Sequence, residues 1–414
     1  MIGTRAARAA ARSFGALLLA GALAAGASAQ TQSDDRQYPP PMREAIAAYR
    51  AGDLDTAEKT LRTYAGGDAD AEAWLGAVLI DRGKNREAIK ALQHAADGGS
   101  SEANHRLGLV FAEGQAGMAR NDQRAAEYFE KAATAGHRRA QINLGILYLR
   151  GQGVKRDLVQ ARAWLEKAAA TDDPSALYTL GRAMEERDET IAADSIRAAD
   201  LYRRAAEKGH GLAALRYGLA MVDGIGVKRD PNGAQTWLLQ ANDSGVPEAA
   251  LALGDLSART PASRDKEANA RIVERAVSWY EIAAKAGVPS AQFKLANAYF
   301  AGAGIARDPA QALAWYGRAA QQGLPEAENA FGVMLMGGVA GTPDAVEGYK
   351  WLLLAEAGGY PDSRVVREKA KGQISPKDVA QAEKLAKAFK PTLERPIDDS
   401  IQRIAAPRAP AAKP

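Results

Sequence analysis

A unit of about 36 residues recurs along the chain and limits the fold more than any other feature of the sequence. A large residue followed by glycine or alanine reappears at successive spacings of 36, 37, 36, 42 and 36 residues. The small residues of these pairs, called marker residues below, are Gly145, Gly181, Gly218, Gly254, Ala296 and Gly332. A fixed period of this length indicates supersecondary units that stack on their neighbours, because one unit alone cannot bury its apolar face.

Each unit carries the signals of two helices. Small or apolar residues four positions apart, such as Ala140 and Leu144, keep one face of a first helix pointed at a core. Gly151 falls where that helix should stop, since glycine accepts the left-handed conformation of a helix C-terminus. Asp157 and Gln160 then have the spacing of a capping box at the start of a second helix. The sequence therefore predicts an all-α fold, an α-solenoid superhelix of helical hairpins.

Five of the six tryptophans share one position in the second helix of their units. They are Trp164, Trp237, Trp279, Trp315 and Trp351. We predict that each ring fills the space between its helix and the neighbouring helices, because periodic aromatic residues on an alanine-rich face usually belong to a core. An aromatic stripe that binds sugars is the alternative.

The gapless pattern from Leu144-Gly145 through Gly151-Gln152-Gly153 to Trp164 resembles the Sel-one-like repeat, a longer relative of the tetratricopeptide repeat. The resemblance covers roughly residues 70–360 and implies an α-solenoid in an exported bacterial protein. Two units depart from the pattern. The unit at Gly181 has lost its G-x-G turn, and the unit at Gly254 carries an insertion around residues 257–269.

The N-terminus has the layout of a secretory signal peptide. Arg5, Arg8 and Arg12 precede a short apolar run, and Ala27-Ser28-Ala29 offers a cleavage site. The apolar run is too short to span a bilayer. We therefore expect cleavage, a periplasmic mature protein and no integral membrane segment after cleavage. Secretion from the cell is the alternative.

The C-terminal end of the array shows a closing helix. Ser375 can N-cap it, Pro376 suits its first turn, and Asp378 follows at capping-box spacing. The predicted segments are a signal peptide (1–29), a disordered linker (30–41), degenerate tetratricopeptide-like repeats (42–101), Sel-one-like repeats (102–362), C-terminal capping helices (363–390) and a disordered tail rich in proline and alanine (391–414).

Composition and motifs argue against several classes of function. The net charge of +4 includes three arginines of the signal peptide, and no basic block follows, so we expect no nucleic-acid partner. The chain has no cysteine. Its four histidines lack metal-binding spacing, and His137 and His210 each follow a glycine, which favours solvated loops. We find no nucleophile, metal site or cofactor fingerprint, and we predict neither an enzyme nor a cofactor.

The family resemblance implies that the inward-facing residues of the first helices line a groove. They stand three before, one after and four after each marker residue. The predicted partner-binding residues are Tyr178, Arg182, Leu215, Leu219, Val222, Phe293, Asn297, Phe300, Asn329, Val333 and Met336. We expect this strip to dock an extended peptide or an amphipathic helix, with Asn297 and Asn329 bonded to the partner backbone. Contacts between adjacent repeats in a tightly curved superhelix are the alternative.

The resulting hypothesis is a non-enzymatic periplasmic scaffold or adaptor that binds a protein or peptide in its concave groove, in envelope assembly or in the regulation of signalling. This step rests on analogy with similar repeat proteins, because a fold does not determine a function. Two alternatives stay open: a binder of, or enzyme on, cell-wall material such as a β-lactam or a peptidoglycan peptide, and a secreted effector.

Overall fold

The chain is all-α in the part that the structure describes. A computed structural model describes residues 38–188, 192–261 and 264–395, and the predicted signal peptide lies outside these ranges. They contain twenty α-helices and no β-strand. None of these twenty helices combines the length and the apolar character that a membrane crossing requires. The chain divides into two compact units, residues 1–229 and 230–414.

The first unit is a succession of helical hairpins in which each helix packs on the next. Its helices are α1 (Pro40–Arg50), α2 (Leu54–Tyr64), α3 (Ala69–Asp81), α4 (Asn85–Asp97), α5 (Ser101–Glu113), α6 (Asp122–Thr134), α7 (Arg138–Arg150), α8 (Leu158–Ala169), α9 (Pro174–Glu185), α10 (Ser195–Glu207) and α11 (Gly211–Asp223).

The second unit continues the same pattern, and its last two helices both pack on α18. Its helices are α12 (Pro231–Asp243), α13 (Pro247–Ala258), α14 (Lys266–Lys285), α15 (Pro289–Ala301), α16 (Pro309–Gln321), α17 (Pro325–Gly337), α18 (Ala345–Ala357), α19 (Ser363–Lys371) and α20 (Pro376–Ala388). The α-solenoid of helical hairpins predicted from the repeat spacing is confirmed.

The helix ends follow the predicted local chemistry. Gly151 C-caps α7 with φ +66°, in the left-handed region that favours glycine. The Asp157 carboxylate caps α8 by accepting the N–H of Gln160 at 2.9 Å. Ser375 caps α20 by accepting the N–H of Asp378 at 3.2 Å, and its hydroxyl donates to the Asp378 carboxylate at 2.7 Å. Each cap contributes about 1 kcal/mol.

The second glycine of the G-x-G turn is required by a close backbone approach. Gly153 has φ +68°, and a Cβ atom on it would lie 2.0 Å from the carbonyl oxygen of Asp122 at the start of α6. Gly304 plays the same part in the second unit, where its Cβ would lie 3.0 Å from the backbone nitrogen of Glu274. Each such turn therefore docks on the second helix of the preceding hairpin.

The marker glycine packs against the residue after the tryptophan position, not against the tryptophan. A Cβ atom on Gly145 would lie 2.6 Å from Cγ of Leu165, which is fully buried. Trp164 itself is half-buried, with the Lys167 ammonium 3.9 Å from its ring centroid. Of the five repeat-position tryptophans only Trp351 is buried. The prediction that all five rings fill the core is therefore correct only in part. Trp351 belongs to a core cluster, and Trp164, Trp279 and Trp315 are half-buried and pack against such clusters from outside.

Two predicted boundaries of disorder also differ from the structure. Helix α1 begins at Pro40, inside the segment predicted as a linker; residues 30–37 lie outside the described ranges. Residues 391–395, predicted as part of a disordered tail, bind the second unit through hydrogen bonds and ion pairs. The prolines that indicated disorder are equally compatible with an extended segment. Residues 396–414 lie outside the described ranges.

Candidate functional site

Three of the residues predicted to line the groove in the first unit are inaccessible. Tyr178, Leu215 and Val222 are buried, and the ring of Tyr178 stacks on His210 with centroids 4.6 Å apart. Their assignment to a partner-binding surface is therefore wrong. Spacing identifies a helix face, but it does not show how far a neighbouring helix covers that face. Arg182 and Leu219 are half-buried and keep part of their side chains accessible.

The second unit keeps its predicted strip more open. Phe300 on α15 is 42% exposed and Val333 on α17 is 45% exposed. Asn297, three positions before Phe300 on α15, is exposed as well. Large apolar side chains at this exposure are typical of a contact surface when they occur together.

The remaining predicted residues of this strip are partly engaged within the fold. Phe293, Asn329 and Met336 are half-buried. Phe293 packs on Tyr316 with ring centroids 5.7 Å apart. Met336 lies against Gly348 on the next helix, where a Cβ atom would overlap with it. Phe293 and Met336 therefore contribute more to packing within the fold than to a free surface.

A groove with a volume of about 520 Å³ lies between α13, α14 and α15. This size falls in the range of ligand and side-chain pockets in proteins. Its wall is mostly apolar, and residues that sequence reasoning did not name supply most of it. The apolar lining residues are Ala258, Ile272, Val273, Ala276, Val277, Ala298, Ala301 and Ala303.

One end of the groove carries a small polar cluster. The Tyr280 hydroxyl donates to the Asp255 carboxylate at 2.8 Å, and the Lys294 ammonium lies 3.0 Å from the same oxygen. Burial raises the pKa of Tyr280 well above its usual range, and the nearby Asp255 charge adds to the effect. The phenol therefore stays protonated as a donor and cannot act as a base near neutral pH.

The predicted partner-binding residue Asn297 also lines this groove. The Tyr316 hydroxyl donates to its Oδ1 at 2.5 Å, so the amide orientation is fixed and its NH₂ group is directed elsewhere. Burial raises the pKa of Tyr316 to about 12, which keeps this hydroxyl a donor. The arrangement suits the binding of an apolar side chain beside a backbone acceptor.

A histidine cluster in the first unit was not predicted from the sequence. Glu102, His105 and His137 each offer a ligand atom, and these atoms lie within 4.8 Å of one another. Two histidines and one carboxylate form a common donor set for iron and zinc. The spacing Glu-x-x-His on α5 was the signal in the sequence, because residues three apart share a helix face.

The hydrogen bonds of this cluster do not fit a metal site. Nδ1 of His137 accepts the backbone N–H of Ala140 at 3.2 Å, so its Nε2 carries the proton and donates to Glu102 at 2.9 Å. The Arg106 guanidinium also lies 2.5 Å from Glu102. A cation bound here would break a helix cap and face a fixed positive charge. We therefore interpret the cluster as a hydrogen-bonded network that packs α5 against α7.

Two histidines predicted to lie in solvated loops are instead helix caps. His137 caps α7, and His210 caps α11 by accepting the N–H of Ala213 at 3.2 Å. His210 is buried, and burial lowers its pKa to about 4. The residue after a turn glycine takes the N-cap position, where a neutral imidazole nitrogen can replace the usual carboxylate.

Hairpins of this length, with a small residue of the first helix facing a large residue of the second, define a tetratricopeptide-like repeat protein. The sequence model of the Sel1 repeat matches more than half of the chain. It matches residues 101–137, 138–173, 174–210, 211–246, 273–288, 289–324 and 325–360. The chain belongs to the Sel1 repeat family, whose members mediate protein–protein interaction. The match leaves out residues 247–272, which include part of the groove wall.

Solved and curated proteins show the same likeness. A Sel1 repeat protein from Oxalobacter formigenes is 27% identical, with a TM-score of 0.61 over 80% of this chain and 94% of that one. HRD3B, an ERAD-associated E3 ubiquitin-protein ligase component of Arabidopsis thaliana, is 38% identical over 25% of this chain and 16% of its own length.

Chitin synthase regulatory factor 3 of Schizosaccharomyces pombe is 29% identical over 54% of this chain and 24% of its own length. The chain thus spans a quarter or less of these two curated relatives, and the likeness lies in their repeats.

Proposed function

We propose that the chain is a non-enzymatic interaction module that binds a peptide or protein partner in the groove between α13, α14 and α15. The observation that carries the proposal is an open apolar groove at the place where the repeat departs from its family pattern. A regular repeat needs no such groove for its own packing. The regulatory names of several relatives support an adaptor role.

An amphipathic helix or an extended segment with spaced apolar side chains fits this site best. Val273 is 40% exposed on the groove wall, and Phe300 is exposed on the neighbouring α15. The cluster of Asp255 and Lys294 offers both charges at the rim, which can set the orientation of a partner without dominating its affinity.

We further propose that the partner is met in the bacterial periplasm. This rests on the arginines, the apolar run and the small residues of positions 1–29. The N-terminal mass of the protein recovered from the periplasmic fraction tests it. A mature chain that begins at Gln30 is expected, and an uncleaved N-terminus in the cytoplasm contradicts export. Recovery from the culture medium would instead favour the secreted effector.

Photo-crosslinking and affinity capture from envelope extracts test the groove. The variant Val273→Asp places a charge on the apolar wall and is expected to reduce capture of the partner at least about ten-fold. Val159→Asp is the matched control, because Val159 is 50% exposed on α8 in the first unit. Both variants should keep the helical circular-dichroism signal. Equal capture by the two variants would contradict the groove assignment.

A further inference from the structure

The segment that follows the last helix lies across the turns of the second unit. Phe389 packs edge-on against Trp351 with centroids 5.0 Å apart. Pro391 covers the turn at Gly323, and Glu394 covers the turn at Gly287. The segment thus runs back along the turns that connect each second helix to the next first helix. We call these turns, between α14 and α15 and between α16 and α17, the turn ridge.

Hydrogen bonds hold the backbone of this terminal segment at every second residue. The N–H of Thr392 donates to the carbonyl oxygen of Gln321 at 2.8 Å, and the N–H of Glu394 donates to Oε1 of Gln322 at 3.2 Å. Leu393, between them, is 40% exposed. Alternation with a period of two residues is the pattern of an extended chain bound along one edge.

The side chains add charge recognition. The Glu394 carboxylate accepts from the Arg318 guanidinium at 2.9 and 2.6 Å, and from Nε2 of Gln292 at 3.0 Å. Gln292 is fully buried and bonded in turn to the amide of Gln322 at 2.9 Å. A two-bond contact between arginine and a carboxylate fixes geometry as well as charge.

The next residue carries the opposite charge into a second contact. Arg395 forms an ion pair with Glu248, in the first turn of α13. Glu248 is buried and the side chain of Arg395 is mostly covered. Removing one partner of a buried pair leaves an uncompensated charge, so both positions constrain what can bind.

The corresponding turns between other helices are not covered by another segment. A Cβ atom added at Gly99, Gly136, Gly209, Gly245 or Gly359 would meet nothing within 4 Å. At Gly323 it would lie 3.0 Å from Pro391, and at Gly287 it would lie 3.1 Å from Glu394. The turns at Gly287 and Gly323 therefore differ from these, because Pro391 and Glu394 cover them.

We propose that the turn ridge of the second unit is a recognition surface for an extended peptide in which an acidic residue directly precedes an arginine, and that residues 391–395 occupy it as an intramolecular ligand. The acidic residue is bound by Arg318 and Gln292, and the backbone by Gln322. The arginine is bound by Glu248. The surface is separate from the groove, so the two proposals stand independently.

Hydrogen–deuterium exchange on the full chain tests the docked state. The amides of Thr392 and Glu394 are expected to exchange at least about ten-fold more slowly than in the isolated peptide. Arg318→Glu should bring them to the peptide rate, and the exchanged pair Arg318→Glu/Glu394→Arg should restore protection. Arg204→Glu is the control, because Arg204 pairs with Asp172 in the first unit. Peptide-like exchange in the wild type, or unchanged protection in Arg318→Glu, would overturn the proposal.

Recognition of a separate peptide is tested with a fluorescent peptide of residues 389–395. A tethered ligand has a millimolar effective concentration, so the wild-type chain should bind the peptide weakly. The full chain carrying Glu394→Arg, whose own segment is repelled by Arg318, is expected to bind it at least about ten-fold more tightly. Equal or undetectable binding by the two chains would show that the ridge does not recognise this sequence.

Discussion

The buried helix cap His210 makes the stability of the first unit depend on pH. Its Nδ1 accepts the N–H of Ala213, its ring stacks on Tyr178, and burial lowers its pKa to about 4. The carboxylate of Asp173, which faces the same site, opposes this shift without cancelling it. The unfolded chain protonates the histidine at its ordinary pKa near 6.5.

The sign and size of the effect follow from this difference. Between pH 6.5 and pH 4 the unfolded chain binds a proton that the folded chain does not, so the free energy of unfolding falls as the pH falls. A difference of about 2.5 pKa units corresponds to a loss of at most about 3–4 kcal/mol, and most of this loss should be complete at pH 4.5. This loss is large beside the usual net stability of a domain.

The variant His210→Asn isolates the contribution. Asparagine is a good N-cap and does not titrate, so at pH 7.5 the variant should lose about 1 kcal/mol through the missing ring contact. At pH 4.5 it should be the more stable chain by about 1 to 2 kcal/mol. Urea unfolding followed by circular dichroism at the two pH values measures both differences.

A control whose stability depends on pH in the opposite direction lies in the same unit. Nδ1 of His94 lies 2.6 Å from the Glu72 carboxylate, and this hydrogen bond raises the pKa of His94. Its contribution is therefore present at low pH and is lost as the pH rises, so His94→Asn should weaken the chain more at pH 4.5 than at pH 7.5. If His210→Asn and the wild type lose stability in parallel between these values, His210 is not desolvated and the reasoning fails.

Two further predictions concern packing. Leu165→Ala should lower the free energy of unfolding by about 2–5 kcal/mol, whereas Trp164→Ala should lower it clearly less because the tryptophan ring is half-buried. Thermal melts of both variants measure the two losses. An equal or larger loss for Trp164→Ala would contradict this packing. Gly153→Ala should lower the free energy of unfolding by more than the roughly 1–2 kcal/mol that a left-handed alanine costs, because its Cβ would meet the backbone of Asp122. Gly209→Ala should cost only that amount, since its Cβ would meet nothing within 4 Å. Similar denaturation midpoints for the two variants would refute the close approach at Gly153.

The helices could be predicted from the sequence because their signals are local. Gly151 and Asp157 determine where a helix ends and the next begins through their own backbone and side-chain chemistry, whatever surrounds them. The same holds for Ser375 at the last helix. The repeat period then places each hairpin beside its neighbour without any knowledge of side-chain contacts.

Burial was harder to predict because it depends on neighbours. Trp164 and Leu165 are adjacent, and periodicity alone does not show which one faces the marker glycine. A signal was nonetheless present, because a large residue follows every repeat tryptophan. These residues are Leu165, Leu238, Tyr280, Tyr316 and Leu352, and all are buried.

The terminal segment could not have been predicted from its own residues. Its prolines and mixed charges are typical of a disordered tail. Its binding depends on Arg318 and Glu248, which lie 76 and 147 positions earlier in the chain. Long-range complementarity of this kind leaves no periodic trace in the sequence.

The groove and the insertion in the repeat pattern have one structural origin. In a regular unit the G-x-G turn docks at the start of the preceding second helix, as Gly153 does on α6. Gly304 docks on α14 at Val273 and Glu274, seven residues after that helix begins at Lys266. The Sel1 match resumes at the same place, residue 273.

Residues 266–272 are therefore an extension of α14 beyond the repeat, and Ile272 in its last turn lines the groove beside Val273. Helix α13 ends at Ala258 without the left-handed glycine that would return the chain towards the core. The extension carries Asn269 and Ile272 beyond the point where the turn at Gly304 docks, and both residues line the groove. The groove proposed as the binding site therefore lies where one unit departs from the regular repeat.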